Sequence, residues 1–217
     1  MNGLQLVIFD CDGVLVDSEV ISNEVLARAL TAEGLATTLA ESRRDYQGLL
    51  LADVVSRAQE KLGRALPEDW LERYERNRNE AFHRKLMAVA GAADAVRRIT
   101  AAEVSVCVAS QGKLEKIQLS LQLTGLSNLF RPDTLFSAYA VPRGKPHPDL
   151  FLHAATAMKA APSRAVVVED TASGVTAAVS AGMRVLGYAA DSDERALSRE
   201  GAEILHCMEE LPSRLGL

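Results

Sequence analysis

Residues 4–13 read Leu-Gln-Leu-Val-Ile-Phe-Asp-Cys-Asp-Gly, and the fold follows from how this stretch begins and how it stops. Leu4 to Phe9 is a short, nearly unbroken apolar run, the pattern of a strand covered on both faces in a parallel sheet. It stops at Asp10-Cys11-Asp12-Gly13. Side chains two apart in extended chain point the same way, so Asp10 and Asp12 project together from the strand's carboxyl end. Open α/β sheets place their ligands at that end. Gly13 allows the sharp turn that follows. Taken alone, the four residues read equally well as a strand entering an Asx–Gly turn.

The rest of the chain argues for the sheet. Helical spacing covers 17–33, where Val20, Val25, Leu26 and Leu30 form a stripe closed by Gly34. Up to about residue 87 the sequence is highly charged, with helical patterns at 49–62 and 68–86 and no convincing strand. From Gly91 onward, strands at 104–109, 134–136, 165–168 and 184–188 alternate with helices at 92–101, 113–123, 148–158 and 172–181. A further helix at 192–200 and an edge strand at 203–205 follow. This rhythm predicts a doubly wound parallel α/β sheet, Rossmann-like in its core, interrupted by an all-helical insertion. The expected division is 1–16 with 88–217 as the core and 17–87 as the insertion. GxGxxG and GxxxxGK[ST] phosphate loops are both missing, which argues against the dinucleotide- and triphosphate-binding versions of the architecture.

Composition narrows the class. The 217 residues are 48% hydrophobic and 24% charged, as in a soluble globular protein, with a net charge of −5. That balance argues against nucleic acid as a partner. The three cysteines, Cys11, Cys107 and Cys207, show no metal-ligand spacing and read as small buried hydrophobes in a reducing compartment. His83, His147, His153 and His206 are scattered and read as structural or surface residues. Trp70 and Tyr74 lie one turn apart and read as packing. With no cationic leader and no apolar run of membrane-spanning length, a cytoplasmic protein without membrane contact is expected.

Three further strand ends carry polar groups. Ser110 closes VSVCVAS (104–110), Lys145 lies in RGKPHPDLF (143–151), and Glu169-Asp170 closes AVVVED (165–170). With the first site they spell DxDGxLxDS, S, KPxPxxF and EDxxxG in order over nearly the whole chain. This resembles the haloacid dehalogenase superfamily in its phosphatase branch. The resemblance implies that the helical insertion is a small cap over the active site, and that Asp10 is a nucleophile forming an aspartyl phosphate. Asp12 is then the general acid and later the base. Ser110, with the backbone N–H groups of Gln111 and Gly112, binds the phosphoryl group, and Lys145 holds it by charge. Four converging carboxylates would repel one another, and a hard cation suits an all-oxygen cluster. The implied cofactor is Mg2+ on Asp10, Asp12 (through its carbonyl) and Asp170, with Glu169 as a direct or water-linked ligand. Alone, Ser110 reads as a helix cap and Lys145 as a surface lysine; Lys113 is a weaker candidate still.

Asp12 separates reactions within the superfamily, because dehalogenases lack an acid two residues after the nucleophile. The resemblance therefore implies a magnesium-dependent phosphatase acting on a small phosphorylated metabolite. The stretches 9–22 and 135–158 come closer to bacterial 6-phosphogluconate phosphatases, implying a sugar phosphate or phosphosugar acid. Arg43, Arg44, Gln47 and Arg73 in the insertion, and Arg143 in the core, are candidates to meet its charge. A β-phosphoglucomutase-type sugar phosphomutase is the alternative, disfavoured by Ser22 and Leu51 where mutases place histidine and arginine. A catalytically silent metabolite-binding module is the non-enzymatic one. A monomer or weak dimer is expected.

Overall fold

The computed structural model describes residues 3–217. The chain divides into two compact units: the part through Val16 together with Ala88–Leu217, and Asp17–Met87.

The larger unit is organised on six strands: β1 (Leu6–Phe9), β2 (Ser105–Ser110), β3 (Leu135–Ser137), β4 (Ala165–Glu169), β5 (Arg184–Tyr188) and β6 (Glu203–Leu205). They form one sheet in the order β3-β2-β1-β4-β5-β6, and every pairing is parallel. All four residues of β1 are fully buried. Burial of such side chains contributes about 1.5–3 kcal/mol each, so four residues suffice to hold a central strand. Phe9 pairs with Val108 on one side and Val168 on the other, which brings Asp10, Ser110 and Glu169 out at the same end of the sheet. From β1 the chain builds outward through β2 and β3, then returns to add β4, β5 and β6 on the other side. The order reverses at β1, and Asp10 therefore stands at the switch point where α/β sheets open a crevice.

Asp17–Met87 holds four helices: α1 (Glu19–Ala32), α2 (Leu39–Tyr46), α3 (Leu51–Leu62) and α4 (Trp70–Lys85). In α1 the buried stripe runs through Ile21, Val25, Leu26 and Leu30, whereas Val20, expected in it, is exposed. Helix α2 was not expected, since LAESRRDY has no apolar periodicity. Its start is nevertheless written in Thr38-x-x-Glu41: the Thr38 hydroxyl accepts the Glu41 N–H at 3.2 Å, and the Glu41 carboxylate accepts the Thr38 N–H at 2.8 Å. Polar ties then fix α2 to its neighbours. Ser42 donates to Asn23 at 2.8 Å, and Lys61 pairs with Asp45 at 2.6 Å. Trp70 and Tyr74 stack at 5.7 Å with both side chains buried, in keeping with a packing role.

Around the sheet lie α5 (Ala92–Ala101), α6 (Leu114–Leu123), α7 (Asp149–Ala157), α8 (Ala172–Ser180), α9 (Glu194–Arg199) and the single turn α10 (Leu211–Arg214), which was also not expected. Helix α8 stops as Gly182 adopts a left-handed φ of 73°, a conformation that suits glycine.

Candidate active site

The carboxyl end of β1 turns at once. Gly13 has a φ of 73°, and its N–H donates to the Val16 carbonyl at 2.9 Å. A Cβ on Gly13 would run into the Asp170 carboxylate, so the missing side chain is the space that lets Asp170, from the end of β4, lie against the β1 turn.

Lys145 ties two of these strand ends together. Its ammonium lies 2.5 Å from Asp10 Oδ1 and also bonds Glu169 Oε1, with its side chain 3% exposed. Burial opposes its charge, but the Asp10 and Glu169 carboxylates outweigh burial and hold the ammonium well above the usual lysine range. For Asp10 the balance is opposite. Burial lifts its carboxyl to about 7, against the pull of Lys145 and with the help of Glu169 and Asp12.

Glu169 is fully buried and fully engaged. One oxygen meets Lys145; the other accepts the Asp170 N–H, the Thr171 N–H and the Thr171 hydroxyl at 2.9–3.0 Å. Glu169 is expected as a direct or water-linked ligand of a cation; in this structure its carboxylate holds Lys145 and the turn into α8. Thr171 went unnoticed in the sequence, although Thr-x-x-Gly ahead of an apolar helix is a cap signal. Its hydroxyl accepts the Gly174 N–H at 3.1 Å.

Asp12 has other partners. Ser110 donates to its Oδ2 at 3.4 Å, and Lys116 pairs with its Oδ1 at 2.5 Å. Ser110 is buried and is not the cap of α6, where Lys113 takes that position. Its hydroxyl instead accepts the Gly112 N–H at 3.1 Å, so that donor, expected to face phosphate, is turned onto Ser110. Lys116, one helical turn beyond the Ser110–Gly112 loop, was not among the expected site residues; the sequence offered Lys113, which stands at the cap position of α6. The Gln111 side chain was missed too: its amide binds both the N–H and the carbonyl of Lys145.

The arginine candidates are engaged elsewhere. Arg143, a candidate for a substrate anion, forks onto Asp149 at 3.1 and 2.8 Å. Arg44 forks onto Asp45, Arg43 donates to Gln47 at 3.4 Å, and Arg73 pairs with Glu33 and Asp69. Cys11 and Cys107 are buried free thiols, and Cys207 is half-buried.

The donor set suits a hard cation of modest demand. Among the described residues no three His, Cys, Asp or Glu side chains form a ready-made metal cage. Magnesium ordinarily takes one or two carboxylates and completes its shell with water and substrate phosphate. The Asp170 carboxylate, seated where a Gly13 side chain would be, and the Asp10 carboxylate are the residues that could supply them.

Known proteins share this arrangement of chain. A sequence model of the haloacid dehalogenase-like hydrolases matches residues 4–182. The 6-phosphogluconate phosphatase of Escherichia coli is 30% identical over 213 residues, covering 98% of this chain and 95% of that protein. A phosphorylated carbohydrates phosphatase of Thermotoga maritima is 27% identical over 215 residues, 96% of each. A hydrolase of the same family from Deinococcus radiodurans, solved with bound phosphate and sodium, superposes with a TM-score of 0.80 at 31% identity, over 100% of this chain and 96% of that one.

Proposed function

This chain belongs to the haloacid dehalogenase-like hydrolase family, and we propose that it is a magnesium-dependent phosphatase of a sugar phosphate or phosphosugar acid, 6-phosphogluconate being the first candidate. It is a phosphoric monoester hydrolase. The observation that carries the reading is the separate keeping of two carboxylates two residues apart: Asp10 on Lys145, Asp12 on Lys116 and Ser110. Such a division suits two carboxyl groups with different tasks.

Asp10 attacks phosphorus, and the bond from phosphorus to the leaving oxygen breaks as the aspartyl phosphate forms. Asp12 gives its proton to that leaving oxygen. Water then attacks, Asp12 takes its proton, and the Asp10–phosphorus bond breaks to regenerate the carboxylate. Ser110 and the Gln111 N–H donate to phosphoryl oxygens, and Lys145 balances charge on Asp10 and the transferring group. Phosphatases of this family generally use a divalent cation; here Asp10, Asp170 and the Asp12 carbonyl would hold it, and when bound it neutralises phosphoryl charge.

The 6-phosphogluconate phosphatase that matches 98% of this chain supports the substrate class. Three thiols outside any disulfide fit a reducing cytoplasm. Among the described residues no helix is long and apolar enough to cross a membrane. Ser22 and Leu51 stand where the mutases carry histidine and arginine, which favours water over a sugar as the second acceptor.

The test is phosphate release, with magnesium and with chelator, across sugar phosphates and phosphosugar acids that include 6-phosphogluconate and β-glucose 1-phosphate. Magnesium-dependent release concentrated on one compound is expected. Isomerisation of β-glucose 1-phosphate without release would replace the phosphatase by a mutase, and silence across the panel would reject the substrate class.

A further inference from the structure

Lys145 sits in a loop, between Gly144 and Pro146, with no helix or strand to carry its backbone. Its backbone groups turn instead to one side chain. The Lys145 N–H donates to Gln111 Oε1 at 3.0 Å, and Gln111 Nε2 donates to the Lys145 carbonyl at 3.3 Å. Chemistry fixes the orientation of that amide, because the N–H needs an oxygen and the carbonyl needs a donor. Gly144 completes the fit. A Cβ there would stand 2.6 Å from Gln111 Oε1 and 3.0 Å from Nε2, so the amide lies across the space that a side chain would fill. Gln111 directly follows Ser110. One residue thus joins the loop read as phosphate-binding to the loop that presents the lysine.

We propose that Gln111 is a positioning residue for Lys145, its amide setting the point from which the ammonium reaches between Asp10 and Glu169. The proposal rests on the role given to Lys145 above. Gln111 acts through the backbone of Lys145 and is distinct from the N–H that the same residue offers to phosphate. A displacement of about 1 Å in a catalytic group costs on the order of 10²-fold in rate, which sets the scale of the expected effect.

Gln111→Ala keeps its backbone N–H and removes the clamp. Its kcat is expected to fall by about 10- to 100-fold with KM changed by less than about threefold. Gly144→Ala attacks the clamp from the other loop: Gly144 is not in a left-handed conformation, and the new methyl meets the movable end of Gln111. A kcat loss of the same order is expected. In a Lys145→Met background, Gln111→Ala should cost less than about twofold, because the two residues act as one unit. An undiminished loss there would overturn the proposal. A readout free of activity is amide hydrogen exchange at Lys145, expected to quicken in Gln111→Ala; unchanged exchange would also overturn it. Should wild type hydrolyse nothing in the panel, the functional reading fails, and the exchange measurement alone decides whether Gln111 holds the loop.

Discussion

The carboxylate of Glu169 occupies the space that a side chain on Gly174 would need. Gly174 lies in the first turn of α8, where alanine would ordinarily favour the helix by about 0.5–1 kcal/mol. Here the new methyl must displace a fully buried carboxylate bonded to Lys145, Asp170 and Thr171. Overpacking of this kind costs about 1–3 kcal/mol. Gly174→Ala is therefore expected to destabilise the protein by roughly 1–2 kcal/mol in urea unfolding, despite its better helix propensity. A gain in stability would mean that Glu169 relaxes freely and does not fix Lys145.

Asp10→Asn keeps the shape of the side chain and removes the nucleophile. Turnover should drop by at least about 10³-fold while the far-ultraviolet circular dichroism stays that of wild type. Hydrolysis at the wild-type rate would assign the nucleophile to another residue.

The same substitution should alter the response to pH in chelator. Burial raises the Asp10 carboxyl from its ordinary value of 3.8 to about 7, so between those values the folded state holds a proton that the unfolded state has released. The stability Asp10 contributes is full below the unfolded value and is lost as pH climbs through the folded one. Urea midpoints of wild type should decline from about pH 4 to 7 more steeply than those of Asp10→Asn. Parallel curves would remove the buried, proton-holding carboxyl from the account.

Millimolar magnesium should raise the Tm, since a ligand that binds only the folded state adds RT ln(1 + [L]/Kd), or about 2.7 kcal/mol at a hundredfold excess over Kd. Asp170→Asn should blunt that shift. An equal shift in the variant would place the cation away from Asp170.

In the helical unit, Thr38→Ala removes one half of a reciprocal cap. The expected loss is about 1 kcal/mol, and exchange of the Glu41 amide should quicken as its acceptor disappears. Unchanged exchange would show that α2 is held by Ser42 and Asp45 alone.

Much of this could be read from the chain because burial and alternation leave direct marks. A short apolar run rich in β-branched residues and stopped by Asp-x-Asp-Gly is the pattern of a strand covered on both faces, and Leu6–Phe9 is such a strand. β5 (Arg184–Tyr188) and β6 (Glu203–Leu205) likewise begin and end where their patterns do. Helix α2 escaped because its stability comes from a capping box and from polar ties to other helices, neither of which produces periodicity. At the candidate site, Asp10, Asp12, Ser110 and Asp170 were legible as polar residues at strand ends, and Lys145 by its place in KPxPxxF, although it lies in a loop well past β3. Their partners were not.

The sequence by itself determined the alternation of strands and helices, the parallel sheet and the polar residues at its strand ends, because each depends on spacing within a short segment. Tertiary structure alone decided that Glu169 belongs to Lys145 and Thr171, that Lys116 joins Asp12, that Arg143 is taken by Asp149, and that Gln111 grips the loop of Lys145. Each of the longer links, Asp12 to Lys116 and Gln111 to Lys145 among them, joins groups from different segments of the chain. Local propensity cannot encode them, because the choice among competing donors and acceptors is made only when the strand register and the packing set their distances.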